Sequence, residues 1–270
     1  MCELLGMSAN VPTDICFSFT GLMQRGGKTG PHRDGWGITF YEGKGCRTFK
    51  DPMPSYQSRI AQLVQEYPIK SCAVVSHIRQ ANRGAVALEN THPFTRELWG
   101  RYWTFAHNGQ LSGYESWPTG RFLPVGTTDS EQAFCWLLNE LELAFPNPPE
   151  DMRSVFRQVA SCCDQLASHG VFNMLLTDGD YLMTYCSSQL HWLTRRAPFG
   201  QARLLDEDIS VDFQQETTPN DVVSLVATLP LTQNEQWHKM TQRECNLFHE
   251  GERVLWRIAD DATLGGPWAE

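Results

Sequence analysis

A cysteine stands directly behind the initiator methionine in "MCELLGM". Removal of Met1 would leave Cys2 with a thiol and a free α-amine side by side; with 9 cysteines in 270 residues, chance is the plain alternative. In "SHIRQANRG", Arg79 offers a planar fork of donors suited to a carboxylate, and a solvated turn is the ordinary reading of the same stretch. In "FAHNGQL", Asn108-Gly109 is the strongest short hairpin-turn signal. The same pair can form an oxyanion hole from the Asn108 side-chain amide and the Gly109 backbone N–H, glycine letting a substrate approach the main chain closely. In "GTTDSEQAF", Thr128 and Glu131 have capping-box spacing and Asp129 falls in the first helical turn, where an acid complements the dipole. The functional alternative pairs Asp129 with a substrate ammonium group. The triplet His32-Arg33-Asp34 in "PHRDGWGITF" fails as a kinase loop, because Thr39 stands where a metal-binding Asn belongs and no DFG follows. Phe40 likewise replaces the third glycine of a dinucleotide loop, which leaves a tight turn entering a strand.

The surrounding pattern alternates helical and strand-like runs. Helical spacing is seen for Ile15, Phe19 and Leu22; for Ile60, Leu63, Val64 and Tyr67; for Phe134, Leu137, Leu138, Leu141 and Phe145; and for Phe156, Val159, Ala160, Cys163 and Ala167. "GWGITFYEGKGCRTF" reads as a hairpin turning at Gly43 to Gly45, and "VFNMLLTDGDYLMTYC" as a second, turning at Asp178-Gly179. "CAVVSHIR", "YWTFAHN" and "DVVSLVATLPL" are further β-rich runs. Strands joined mostly by hairpins, with helices in separate blocks, predict an α+β domain on antiparallel sheet. The stretch after Trp256, "RIADDATLGGPWAE", reads as a poorly structured tail, so the domain is expected over 2–255 and the tail over 256–270.

The totals close off several classes. Hydrophobic residues at 41% and charged residues at 20% are those of an ordinary globular chain. A net charge of −9 with no basic run leaves nucleic-acid binding without its main attractive term. No apolar run is long enough for a membrane helix, and the N-terminus lacks the basic start of a secretory signal. Nine cysteines are an odd number in a chain too large to need a disulfide framework, which points to reduced thiols and the cytoplasm. Cys16, Cys46, Cys72, Cys135, Cys186 and Cys245 are read as small hydrophobes. No CxxC pair, HExxH or P-loop occurs, so neither a metal nor an organic cofactor is expected.

Taken in order, Cys2, "HRDGWGI", "SHIRQANRGAVALENTHPF", "FAHNGQL" and "GTTDSEQAF" resemble the glutaminase domain of the class-II glutamine amidotransferases, a family of N-terminal-nucleophile hydrolases. The resemblance runs by motif from Cys2 to about residue 135. "FNMLLTDGDYLMTY" and "VVSLVATLPLT" are similar to the family's later strands. It implies a four-layer αββα sandwich of two antiparallel sheets. It also implies that Cys2, freed of Met1, is the nucleophile, that Arg79 binds the glutamine α-carboxylate, that Asn108 and Gly109 form the oxyanion hole, and that Asp129 holds the α-ammonium. His77, two residues before Arg79 on the same strand face, is expected to line the pocket. His92 matches a family position but is read as a packed, hydrogen-bonded structural histidine. Asn82-Arg83 departs from the small and polar residues usual there, leaving room for Arg83 to meet a larger substrate. The activity implied is hydrolysis of the glutamine side-chain amide, the ammonia passing to a separate synthase. An amidohydrolase of γ-glutamyl amides or peptides, and a non-catalytic binding protein on the same fold, are the alternatives.

Overall fold

Residue pairs one apart in sequence decide this architecture. The computed structural model describes residues 2–67, 69–81, 84–213, 218–258 and 263–269. Among them the strands are β1 (Glu3–Asp14), β2 (Trp36–Glu42), β3 (Gly45–Asp51), β4 (Lys70–Ile78), β5 (Phe94–Leu98), β6 (Arg101–Leu111), β7 (Gly170–Thr177), β8 (Tyr181–Cys186), β9 (His191–Arg196), β10 (Gln201–Arg203), β11 (Ser210–Asp212), β12 (Val222–Ala227), β13 (His238–Lys239), β14 (Glu244–His249) and β15 (Glu252–Arg257). The helices are α1 (Cys16–Arg25), α2 (Arg59–Glu66), α3 (Asp129–Ala144) and α4 (Met152–Ala167). One sheet has the order β13-β9-β12-β1-β4-β2-β3 and the other β15-β14-β8-β7-β6-β5, while β10 and β11 form a small ribbon. Neighbours pair antiparallel, as in β1 with β4 and β12, and β6 with β5 and β7.

Successive strand side chains point to opposite faces, and here both faces are apolar. Leu4, Val75 and Val226 meet Ala106, Leu175 and Leu182 between the two sheets. Their sequence neighbours Leu5, Val74 and Leu225 pack outward against Phe19 and Leu22 of α1 and Val64 of α2. On the other side Phe105 and Met174 pack outward against Phe134 and Leu137 of α3 and Phe156 and Val159 of α4. The layers therefore run helix, sheet, sheet, helix: the expected four-layer αββα sandwich.

Two local expectations are revised. The helical reading around Ile15 begins too early, because β1 continues to Asp14, whose Oδ1 accepts the Cys16 N–H at 2.7 Å as α1 starts. The tail is not loose over its described part. Trp256 and Gly265 exchange backbone hydrogen bonds at 2.9 and 2.8 Å, and Trp268 packs on Tyr181 and His249. Two tryptophans supply enough apolar surface to hold residues 263–269 against the second sheet. The cysteines are all free thiols; Cys135, Cys162, Cys163, Cys186 and Cys245 are buried, while Cys16, Cys46 and Cys72 are only partly so. No helix among the described residues is long and apolar enough to cross a membrane.

Candidate active site

The head of β1 is tied down by three other parts of the chain. The Leu4 N–H donates to Thr228 Oγ1 at 3.0 Å and the Thr228 N–H returns a bond to the Leu4 carbonyl at 3.2 Å. Arg25 of α1 donates to the Glu3 carboxylate at 3.1 Å. Cys2, partly exposed, receives the Gln80 N–H on its Sγ at 3.4 Å. Burial pushes the Cys2 thiol above its ordinary value of 9.0, with the Gln80 N–H and the Arg79 charge pulling the other way.

Arg79 leaves the end of β4 into a loop held by the stretch "RDG". The Arg79 N–H donates to the Gly35 carbonyl at 2.8 Å, the Asp34 N–H to the Arg79 carbonyl at 3.1 Å, and the Ala81 N–H to Asp34 Oδ2 at 2.7 Å. Gly35 has φ +114°, which a residue with a Cβ rarely adopts, so this tight turn needs glycine. The Arg79 guanidinium, 4% exposed, donates to the Ala85 carbonyl at 2.9 Å and to the Gly84 carbonyl at 3.5 Å.

Asn108-Gly109 is not a turn: both residues lie inside β6. Among the described residues β5 pairs with β6 only as far as Phe105, which leaves the rest of β6 with a bare edge opposite β7. N–H groups two apart in a strand point the same way. The Leu111 N–H on that edge is taken by Asp129 Oδ2 at 2.7 Å, so the Gly109 N–H points to the same side. The reason for glycine at 109 is packing as well as access. A Cβ there would sit 1.8 Å from the Val171 carbonyl oxygen and 2.7 Å from His107 Nε2. The buried Asn108 amide faces the other sheet, with Nδ2 donating to Thr228 Oγ1 at 3.2 Å and Oδ1 without a partner.

Thr128 caps α3 by accepting the Glu131 N–H at 3.2 Å, but the reciprocal half of the capping box is missing, because Glu131 turns to Gly126 and Arg96. Asp129 does more than complement the helix dipole: Oδ1 accepts the Ser130 N–H at 2.9 Å while Oδ2 reaches β6. Ser130 Oγ in turn meets His107 Nδ1 at 2.8 Å, and His107 Nε2–H donates to the Val171 carbonyl at 3.1 Å. Burial holds this ring below its ordinary pKa, so it is neutral and its tautomer is set by those two partners.

Cys2, Arg79, Gly109 and Asp129 line one small cleft open to solvent, and Asn108 lies behind it. His77 does not join them. It is wholly buried between the sheets, as the pairing of Leu4 with His77 dictates, and stacks on His92 at 4.1 Å. His92, like His107, reaches the cleft wall, and neither nitrogen of His92 has a hydrogen-bond partner among the described residues, so it is packed but not hydrogen-bonded. Asn82-Arg83 and Met1 lie outside the described residues. A larger cavity of about 380 Å³, between the start of α1 and strands β9 to β12, contains none of these side chains. Convergent chemistry, not volume, marks the small cleft as the candidate. Thr228, Ser130, His107 and Asn173, whose Nδ2 donates to the Asn108 carbonyl at 2.9 Å, lie within the quoted stretches but are partners to which the sequence reading gave no role.

Residues 1–264 match the family described as class-II glutamine amidotransferases. The chain is 71% identical over 255 residues to "Putative glutamine amidotransferase YafJ" of Escherichia coli (strain K12), an alignment covering 94% of this chain and 100% of that one. A crystal structure of a "predicted glutamine amidotransferase" from Pseudomonas aeruginosa is 56% identical, with a TM-score of 0.76 over 94% of this chain and 99% of that one. The glutamine phosphoribosylpyrophosphate amidotransferase of B. subtilis shares the fold at 14% identity, with a TM-score of 0.56 over 93% of this chain and 49% of that one.

Proposed function

We propose, from the premise that this chain belongs to the class-II glutamine amidotransferases, that it cleaves the side-chain amide of glutamine with Cys2 as nucleophile and releases ammonia. The observation that carries the reading is the convergence of Cys2, Arg79, Gly109 and Asp129 on one cleft from the head of β1, the end of β4, the bare edge of β6 and the start of α3. In this reading Arg79 takes the α-carboxylate. A charged acceptor displaces the neutral Gly84 and Ala85 carbonyls because charge-assisted hydrogen bonds are roughly twice as strong. Asp129 takes the α-ammonium. With both charges held, the side-chain amide is left in one place, facing Sγ.

Burial keeps the Cys2 thiol protonated near neutrality, so attack needs a base. The α-amine of Cys2, freed by loss of Met1, has an ordinary pKa of about 7.7–8.0 and sits on the nucleophile's own residue. It takes the thiol proton and passes it to the departing ammonia; with Met1 attached, that nitrogen is an amide and no base. The Gly109 N–H and the Asn108 amide meet the oxyanion, and water then hydrolyses the thioester to glutamate. These steps use neither a metal nor an organic cofactor. The ammonia is destined for a separate acceptor enzyme.

The test is an intact-mass and peptide-map experiment after exposure to diazo-oxo-norleucine, together with ammonia release from glutamine and amine release from γ-glutamyl peptides. A Met-less protein with one adduct on Cys2, faster on glutamine, is expected, and Cys2→Ala should abolish turnover without unfolding the chain. Turnover of Cys2→Ala within about tenfold of wild type would exclude Cys2 as nucleophile, since losing a nucleophile costs orders of magnitude more. Much faster cleavage of the peptides would replace glutamine with a γ-glutamyl amide at the same site.

A further inference from the structure

We propose that Thr228 is a positioning residue for the amide hydrolysis put forward above, on which this inference rests: its hydroxyl turns the Asn108 amide so that nitrogen, not oxygen, faces the developing oxyanion. Thr228 follows β12 and is 3% exposed. Its main chain is held at both ends, the N–H by the Leu4 carbonyl at 3.2 Å and the carbonyl by His191 Nδ1 at 2.9 Å, which fixes the backbone from which its hydroxyl projects. That hydroxyl accepts the Leu4 N–H at 3.0 Å and touches the Asn108 amide at 3.2 Å. It thus joins the strand that carries Cys2 to the strand that carries Asn108, across the gap between the sheets.

A hydroxyl has one proton to give and two lone pairs. With one lone pair used by Leu4, its own proton has the Asn108 amide as the remaining partner among the described residues. A hydroxyl proton calls for Oδ1, yet Oδ1 is the buried end of the amide with no partner. The two ends of an amide are alike in shape, and a half-turn exchanges them. Oδ1 then receives the Thr228 proton, and the two N–H groups of Nδ2 take the unpartnered position, ready for negative charge. In the opposite orientation a lone pair faces that charge and repels it. Thr228 sets this choice, and a residue of the same shape without the hydroxyl cannot.

Steady-state glutamine hydrolysis by the Met-less protein tests this. Thr228→Val should lower kcat by about 30- to 100-fold, approaching the loss of one oxyanion donor, while KM changes less than about threefold. Thr228→Ser, which keeps the hydroxyl, should recover kcat to within about fivefold. If Thr228 acts through Asn108, adding Thr228→Val to Asn108→Ala should cost no more than about threefold further. Alkylation of Cys2 by iodoacetamide, which needs no oxyanion hole, should proceed at the wild-type rate. Where the valine variant fails to fold, Thr228→Ala removes the same hydroxyl and should give the same loss in kcat. A kcat for the valine or alanine variant within about threefold of wild type overturns the proposal, as do a full multiplicative loss on the Asn108→Ala background and alkylation that slows in step with turnover. A wild-type protein whose Cys2 alkylates but which releases no ammonia from glutamine fells the parent reading and this one together. An active wild type with an active valine variant fells this one alone.

Discussion

Replacing Gly109 with alanine separates two things one atom would do. The added Cβ lands 1.8 Å from the Val171 carbonyl oxygen, 2.6 Å from its carbon and 2.7 Å from His107 Nε2, where real Cβ atoms are essentially never closer than 3.0 Å. Two of the three atoms are backbone, so no side chain can swing aside; β6 and β7 must part by about an ångström or more at this point. Overpacking of this kind costs typically 1–3 kcal/mol. For a domain of this size each kcal/mol lowers Tm by about 2–4 °C, so a fall of about 2–12 °C is expected. The same movement carries the Gly109 N–H away from the place where the oxyanion forms. A misplacement of about an ångström costs about 10²-fold in rate, against roughly 10²–10³ for loss of the donor altogether.

Thermal unfolding and ammonia release from glutamine, measured on the same protein well below its Tm, read out both effects. The expected result is a lower Tm with kcat down about 10²-fold and KM changed far less, since Arg79 and Asp129 still hold the substrate's charges. An unchanged Tm would refute the packing reasoning. A lower Tm with kcat within about threefold of wild type would make Gly109 a packing residue and remove its N–H from the chemistry.

Arg79→Ala should raise the KM for glutamine by about 10²-fold, the scale of a lost charge-assisted pair, and an unchanged KM would leave Arg79 as only the anchor of the Gly84 and Ala85 carbonyls. Acid should destabilise the protein through its buried histidines. Burial holds His77 down to about 3 and lowers His92 and His107 as well, so below the ordinary value of 6.5 the unfolded chain binds protons the folded chain refuses. Their combined contribution is then lost progressively as pH falls below 6.5, and full stability is present above 6.5. Denaturant unfolding at pH 7, 6 and 5 checks this; a flat stability over that range would mean that these rings take up protons in the folded state.

The elements with one simple signal were legible in the sequence. The helical spacing of Phe134, Leu137 and Leu141 and the Asp178-Gly179 turn appear as α3 and the β7–β8 hairpin. β1 was not legible, for a physical reason. Seven consecutive residues from Glu3 are buried, because one face meets the second sheet and the other meets α1, so no period-2 alternation survives in "ELLGMSA". The helical spacing of Ile15, Phe19 and Leu22 then drew the helix boundary forward over a strand end. The four layers came only with the family resemblance, since alternation reveals two apolar faces and not what covers them.

The candidate site divides along a similar line. Residues placed to touch a substrate sit in short stretches whose types suggest their chemistry: Arg79 at a strand end, Asn108-Gly109, Asp129 at a helix start. The residues that orient them carry no such mark. Thr228 lies 120 positions from Asn108 and 224 from Leu4, and within "VATLPL" it reads as any strand-end threonine. His77 shows the opposite failure: a side chain with obvious chemistry, on the same strand face as Arg79, is carried by that face into the space between the sheets. Position along the strand separates the two, because Arg79 lies just beyond Ile78, where β4 ends, and His77 lies inside it. A sandwich with both sheet faces covered exposes its chemistry only at strand ends and bare edges, which is where Cys2, Arg79 and Gly109 are found. In such a fold, the distance of a residue from the last ladder pair is a better guide to its role than the chemistry of its side chain.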